Sequence, residues 1–235
     1  VSYRRRIEAT SQFVRECLNS VAKRSDQVRA AVKKARTTLP KQLPVQAKLA
    51  KYLKPTTIEG YKTVKGKKKP HSYSVEFWGR FQPTRKVEVP AAYVIPFEQS
   101  RVVDRLRMHG LRIHKLARSK QVQLSVTRGI KVKRGRVFQR HRLVTLSGKA
   151  TKVTRQLKRD TYIVPLNQPL ARLAVYMLDP ASDDSLTTWN FFDHSLIPNG
   201  EFPVAKIDAK TLEGLALSKP IKHVVPAQRI DFDHV

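Results

Sequence analysis

The sequence predicts an α+β fold: a long N-terminal amphipathic helix, then a mixed or antiparallel sheet with two or more packed helices. Three observations predict it. Residues 4–36 carry Ile7, Val14, Val21 and Val28 on a seven-residue repeat that no Gly or Pro interrupts. From Tyr73 onward, short alternating or apolar runs bounded by Gly and Pro recur, as strands do. Two isolated stretches of helical spacing sit among them, a layout of strands with scattered helices rather than regular βαβ alternation. The chain divides into a helical segment at 1–38, an α+β domain at 39–207 and a tail at 208–235. Within the domain, residues 111–159 form a basic hairpin region.

In the first helix Leu18 and Val32 follow Val14 and Val28 by four residues, and Phe13, Cys17 and Ala31 widen the apolar stripe. The stripe is expected to pack on the body of the protein, with Cys17 buried as a small hydrophobe. Ser25-Asp26 is placed to start a second helix. Pro40, Pro44 and Pro55 punctuate a polar stretch that reads as connection. Lys65 to Lys69 then form the tip of a basic hairpin. Strands are expected at Tyr73–Phe77, Lys86–Val89 and Ala92–Pro96. Gln99–His109 has helical spacing, with Val102, Val103, Leu106 and Met108 inward and Gly110 ending it.

Leu111-Arg112-Ile113 reads as a strand, and Val122, Leu124 and Val126 alternate cleanly, as do Ile130 and Val132. Two further strands, around Leu143–Leu146 and Lys152–Leu157, are expected to join through Gly148. Tyr162–Pro165 is a buried-type run, and Pro169 opens a helix to Leu178. Asp183-Asp184 begins a helical turn, and Phe202–Val204 is the last expected strand.

Of 235 residues, 47 are basic and 18 acidic, a net charge of +29. The surplus is uneven. Residues 1–159 carry 41 of the basic and 8 of the acidic residues, while residues 160–235 carry 6 and 10. From Leu111 to Arg159 there are sixteen Lys and Arg and no Asp or Glu. Such a surface repels itself, and an anionic partner relieves the repulsion. Lys131, Lys133, Arg134, Arg136, Arg140 and Arg142 are the candidate polyanion-binding residues, with Phe138 and His141 interleaved where they can stack on bases. An anionic polymer or nucleic acid is the expected partner.

Other chemistry finds little support. One cysteine excludes an internal disulfide framework and a cysteine-rich zinc site. None of the seven histidines lies three or four residues from another, and no His-x-x-Glu occurs. Gly148-Lys149-Ala150-Thr151 approximates the end of a phosphate loop but has Ala150 where Ser or Thr is required. Asp179, Asp183, Asp184 and Asp193 read better as helix-terminal acids than as a carboxylate site. No apolar run reaches eighteen residues, so no transmembrane segment is expected. The basic opening Val1-Ser2-Tyr3-Arg4 has no apolar stretch behind it and no initiator Met, which reads as a processed product or a fragment.

The stretch from Gln168-Pro169-Leu170 through Met177-Leu178-Asp179-Pro180 to Trp189-Asn190-Phe191-Phe192-Asp193 resembles the C-terminal region of large bacterial zinc carboxypeptidase (carboxypeptidase A-like) proteins. Tyr162-Ile163-Val164, Ala92 to Pro96, Met108-His109-Gly110 and His141-Arg142-Leu143-Val144 match that region in the same order, with Ser185 where the pattern has Gly. The resemblance implies a non-catalytic accessory region beside a catalytic domain, covalently or non-covalently attached. Zinc in that family sits in the catalytic domain on a His-x-x-Glu pair and a later His, so this chain is expected to hold no cofactor and no catalytic residue of its own. It also implies a periplasmic or secreted location. The charge alone supports an alternative, a stand-alone nucleic-acid-binding or ribonucleoprotein component, which would be cytoplasmic.

Overall fold

The computed structural model describes residues 2–222. Helices α1 (Tyr3–Lys23) and α2 (Ser25–Thr37) open it, and the Ser2 hydroxyl caps α1 by accepting from the Arg5 amide. The break falls at Arg24. Neither helix buries a single residue, which corrects the expected packing on the body, and Cys17 is exposed rather than buried. The apolar stripe is real, but among the described residues no element buries it. The Arg172 guanidinium, donating to the carbonyls of Ala35 and Thr38, ties the end of α2 to the domain.

Strand β1 (Gln42–Ala50) pairs antiparallel with β4 (Arg80–Glu88), and β2 (Thr56–Val64) with β3 (Lys67–Val75) forms a hairpin turning at Lys65-Gly66. The stretch around Pro44 is therefore strand rather than connection. Pro44 is tolerated because the pairing shifts register between it and Gln46, where no ladder amide is needed. Leu43 and Val45 on this strand reach the main core.

The domain is built on a six-stranded sheet in the order β6-β9-β5-β10-β7-β8, every pair antiparallel. Its strands are β5 (Ala92–Ile95), β6 (His114–Lys115), β7 (Lys120–Phe138), β8 (His141–Leu157), β9 (Tyr162–Pro165) and β10 (Ala205–Ile207). Both faces of β5 and β9 are covered, which explains why these strands read as continuous apolar runs. On one face Tyr93, Ile95, Tyr162 and Val164 pack with α3 (Ser100–Met108) and α4 (Ala171–Leu178). On the other, Ala92, Val94 and Ile163 pack with Val122, Leu124, Val126 and Leu157, next to α5 (Ala209–Glu213). Met108, expected inward, is exposed.

A bulge in β7 controls how its apolar residues are used. Val122, Leu124 and Val126 belong to the second core, yet Ile130 and its neighbours Val144 and Leu146 belong to the first. Strict alternation would keep all the even-numbered positions on one face. The register slips between Arg128 and Lys131, where Gly129 adopts a left-handed φ of 59°, and the strand's inward side changes sheet face. Opposite the slip, Gly148 does not divide β8 into two strands as expected. A Cβ there would lie 2.6 Å from the Thr127 methyl and 2.9 Å from the Arg128 carbonyl, so Gly148 supplies room while β8 runs on.

Three further expectations shift. Leu111 and Ile113 are buried but pair with no strand. The Gln168 side chain takes the partner's place, accepting from the Arg112 amide at 2.8 Å and donating to its carbonyl at 3.2 Å. Asp183-Asp184 sits in turns rather than a helix, with the Asp183 carboxylate accepting from the Ala47 amide. The last strand is Ala205–Ile207, while Phe202, buried just before it, donates its amide to Thr127. The expected tail is part of the fold as far as 222: Leu215 is buried and the Ile221 amide bonds Ile113. The rest of the expected tail, 223–235, lies outside the described residues.

Gly129→Ala is expected to cost about 1 kcal/mol in urea denaturation through its left-handed backbone alone, because no atom crowds its Cβ position. Gly129→Asn should cost less. Gly148→Ala should destabilise by contact instead, and its cost should fall when Thr127→Ser removes the opposing methyl.

Candidate polyanion interface

The acid-free run from Leu111 to Arg159 forms β6, the hairpin β7–β8 and their flanks. Its turn is Gln139-Arg140, both at positive φ (47° and 68°), the geometry of a two-residue type I′ turn. Neither residue is Gly or Asn, so the turn has little intrinsic preference for this shape. Support comes from the segment Trp189 to Asp193. The Asn190 amide group donates to the Arg142 carbonyl at 2.9 Å, and its oxygen lies 3.1 Å from His141 Nδ1. The Trp189 ring meets His141 edge-on at 5.4 Å and Phe138 at 6.4 Å, while its indole N–H donates to Asp184. Phe192 is buried against Phe202. The Trp-Asn-Phe-Phe-Asp stretch thus clamps the tip of the hairpin to the domain.

The six expected binding residues do not form one group. Lys131 and Lys133 stand opposite Ser147 and Thr145 and point away from Ile130 and Leu146, fully into solvent. Arg134 stands opposite buried Val144 on the inward side, and its guanidinium donates to Asp193 at 2.8 Å. Arg136, Arg140 and Arg142 are exposed at the tip. Sequence reasoning missed Lys149, which pairs in register with Arg128 and shares the outer face with Lys131 and Lys133. Its place depends on the bulge, which alternation along the chain does not announce.

Carboxylates from beyond the run neutralise part of it. Glu201 takes Arg155 at 2.7 Å and Arg128 at 3.0 Å, Asp193 takes Arg134, and Asp160 lies 3.7 Å from Lys115 and 3.9 Å from Arg159. Five of the sixteen basic residues are paired in this way. Among the described residues Lys131, Lys133, Arg136, Arg140, Arg142 and Lys149 have no carboxylate partner. At Glu201 partial burial pushes the carboxyl upward, but the hydrogen bonds and charges of Arg155 and Arg128 outweigh it and hold it below the usual carboxylate range.

Elsewhere a cavity of about 870 Å³ lies between the polar face of the hairpin and residues 85–91. Lys41, Arg85 and Lys152 line it together with Glu88 and Asp208, so it presents no single sign of charge. At its edge Lys206 donates to the buried Asp179 at 2.6 Å. Burial and the Asp179 charge push the nearby Tyr93 phenol well above its ordinary value, keeping it protonated. The four aspartates weighed as a carboxylate site are each engaged: Asp179 by Lys206, Asp183 by the Ala47 amide, Asp184 by Trp189 and Asp193 by Arg134. Among the described residues, no group of three His, Cys, Asp or Glu comes close enough to hold a metal ion.

No family model, curated protein or solved structure matches the chain. The functional reading therefore rests on the geometry of the hairpin and on the sequence itself.

Two outcomes test this geometry. Asn190→Ala is expected to speed hydrogen exchange at the amides of 136–143 and cost about 2 kcal/mol, since it removes the clamp and puts Ala, which tolerates the left-handed region less well than Asn, at φ 69°. Glu201→Gln should cost about 1 kcal/mol at neutral pH. Because the folded carboxyl is held low, its contribution is present above the ordinary carboxylate pKa and lost as pH falls through the depressed value. The wild-type and variant stabilities should therefore converge in acid.

Proposed function

We propose that this chain is a non-catalytic accessory region of a zinc carboxypeptidase-like protein that binds a polyanion through the β7–β8 hairpin. The observation carrying the binding is the outer face of the hairpin. There Lys131, Lys133 and Lys149 lie together, with Arg136 beyond them, exposed and without carboxylate partners among the described residues, on a backbone that both cores hold rigid. Edge lysines that merely deter aggregation need no such surplus. The family assignment is supported by the ordered sequence matches, and it predicts a His-x-x-Glu-bearing catalytic domain encoded beside this region. A gene with no such domain adjacent would remove that half of the proposal.

A second reading, a stand-alone nucleic-acid-binding component, is favoured by one observation. Phe138 is 45% exposed beside His141 and Trp189, a stacking surface adjoining Arg140 and Arg142. Phe138→Ala separates the two readings. If bases stack there, the variant loses about tenfold in affinity for single-stranded DNA and none for heparin.

Binding to either polymer should weaken steeply with salt. Four contacts on a single strand correspond to a slope of log K against log salt of about −3. Charge reversal at Lys131, Lys133 and Arg136 should lower affinity about tenfold or more and flatten that slope, with the thermal transition unchanged. Arg134 is left intact in this variant because its loss would unpair Asp193. Equal binding by the variant, or a flat salt response of the wild type, would sink the hairpin assignment.

A further inference from the structure

Helices α1 and α2 carry an apolar face that no described residue of the chain covers. Ile7, Val14, Leu18 and Val21 form one stripe along α1, Phe13 and Cys17 widen it, and Phe13 and Leu18 are 68% and 65% exposed. At 100° per residue, Arg4, ion-paired to Glu8 at 2.9 Å, and Arg15 border one side of the four-residue stripe, and Arg6 lies on the other side between Phe13 and Cys17, while Arg24 follows the helix as its C-cap. Residues 2–37 hold ten basic and three acidic side chains, a net of +7. Whatever covers this face must be apolar along the stripe and anionic at its rims.

That pair of requirements selects among occupants. A second copy of the helix would supply apolar cover but set +7 against +7. A nucleic acid would satisfy the arginines and leave the stripe in water. An anionic bilayer supplies both, acyl chains below and phosphates at the level of the guanidinium groups. No described helix is long and apolar enough to cross a membrane, so the geometry required is in-plane. With 21 residues α1 would lie along about 31 Å of surface.

We propose that α1 is an amphipathic anchor for an anionic lipid surface. Its stripe is sunk to the acyl boundary, and Arg4, Arg6 and Arg15 extend to the headgroup phosphates. The site is separate from the hairpin and does not depend on its function.

The test is co-sedimentation of the whole chain with vesicles of phosphatidylcholine alone and of phosphatidylcholine mixed with phosphatidylglycerol. The wild type should bind the mixed vesicles about tenfold or more tightly than the neutral ones. Val14→Gln with Leu18→Gln keeps the charge and the helix propensity, and neither side chain is part of a core. This variant should lose about tenfold or more on mixed vesicles while its heparin binding is unchanged. Three results would overturn the proposal: no vesicle binding by the wild type, equal binding by the variant, or a wild-type dimer in sedimentation velocity that the variant dissolves. The last would make a second copy, or a matching protein groove, the occupant of the stripe.

Discussion

A hairpin with no carboxylate of its own is anchored on this domain by its apolar residues in both cores, and acids from the last third of the chain reach it and pair part of its charge. Glu201 holds both strands, through Arg128 on β7 and Arg155 on β8. Asp193 holds Arg134 near the far end, and Asp160 sits by the base. The lopsided charge of the sequence is thus partly an internal complementarity, a basic middle folded against a more acidic end. What the acids leave unpaired is the outer face and the tip. Those are the places a partner can reach, so the same pairing that neutralises part of the hairpin also delimits the proposed binding surface.

The bulge at Gly129 makes that division possible. Before it, the inward residues of β7 serve the core beside α5; after it, they serve the core beneath α3 and α4. The slip turns Lys131 and Lys133 outward next to Lys149, and it turns Arg134 inward to Asp193. One residue of register decides which cations are free.

Much of the fold was legible from local pattern. β5, β9, α3 and α4 are short elements whose apolar runs or helical spacing match their burial, because each is covered on the faces that its own sequence marks. What escaped depended on distant partners. β1 was hidden by Pro44, which a register shift accommodates. The pairing of Arg112 came from the side chain of Gln168 rather than from a strand. The stripe of α1 was read correctly as apolar, yet apolarity says nothing of where the cover comes from, and Cys17 followed the stripe into solvent. At the site, residue type identified the cations, but only cross-strand register distinguished Lys133 from Arg134 and brought in Lys149. The Trp189–Asp193 clamp was visible as an unusual sequence, with no local sign that it holds the hairpin tip.

Backbone amide chemical shifts during titration with a heparin oligosaccharide test the central claim most directly. The account predicts perturbations concentrated on Arg128 to Arg136 and Leu143 to Lys149, the outer face of the hairpin and its flanks. Perturbations confined to the β2–β3 tip around Lys65 to Lys69, with the β7–β8 amides unmoved, would contradict it.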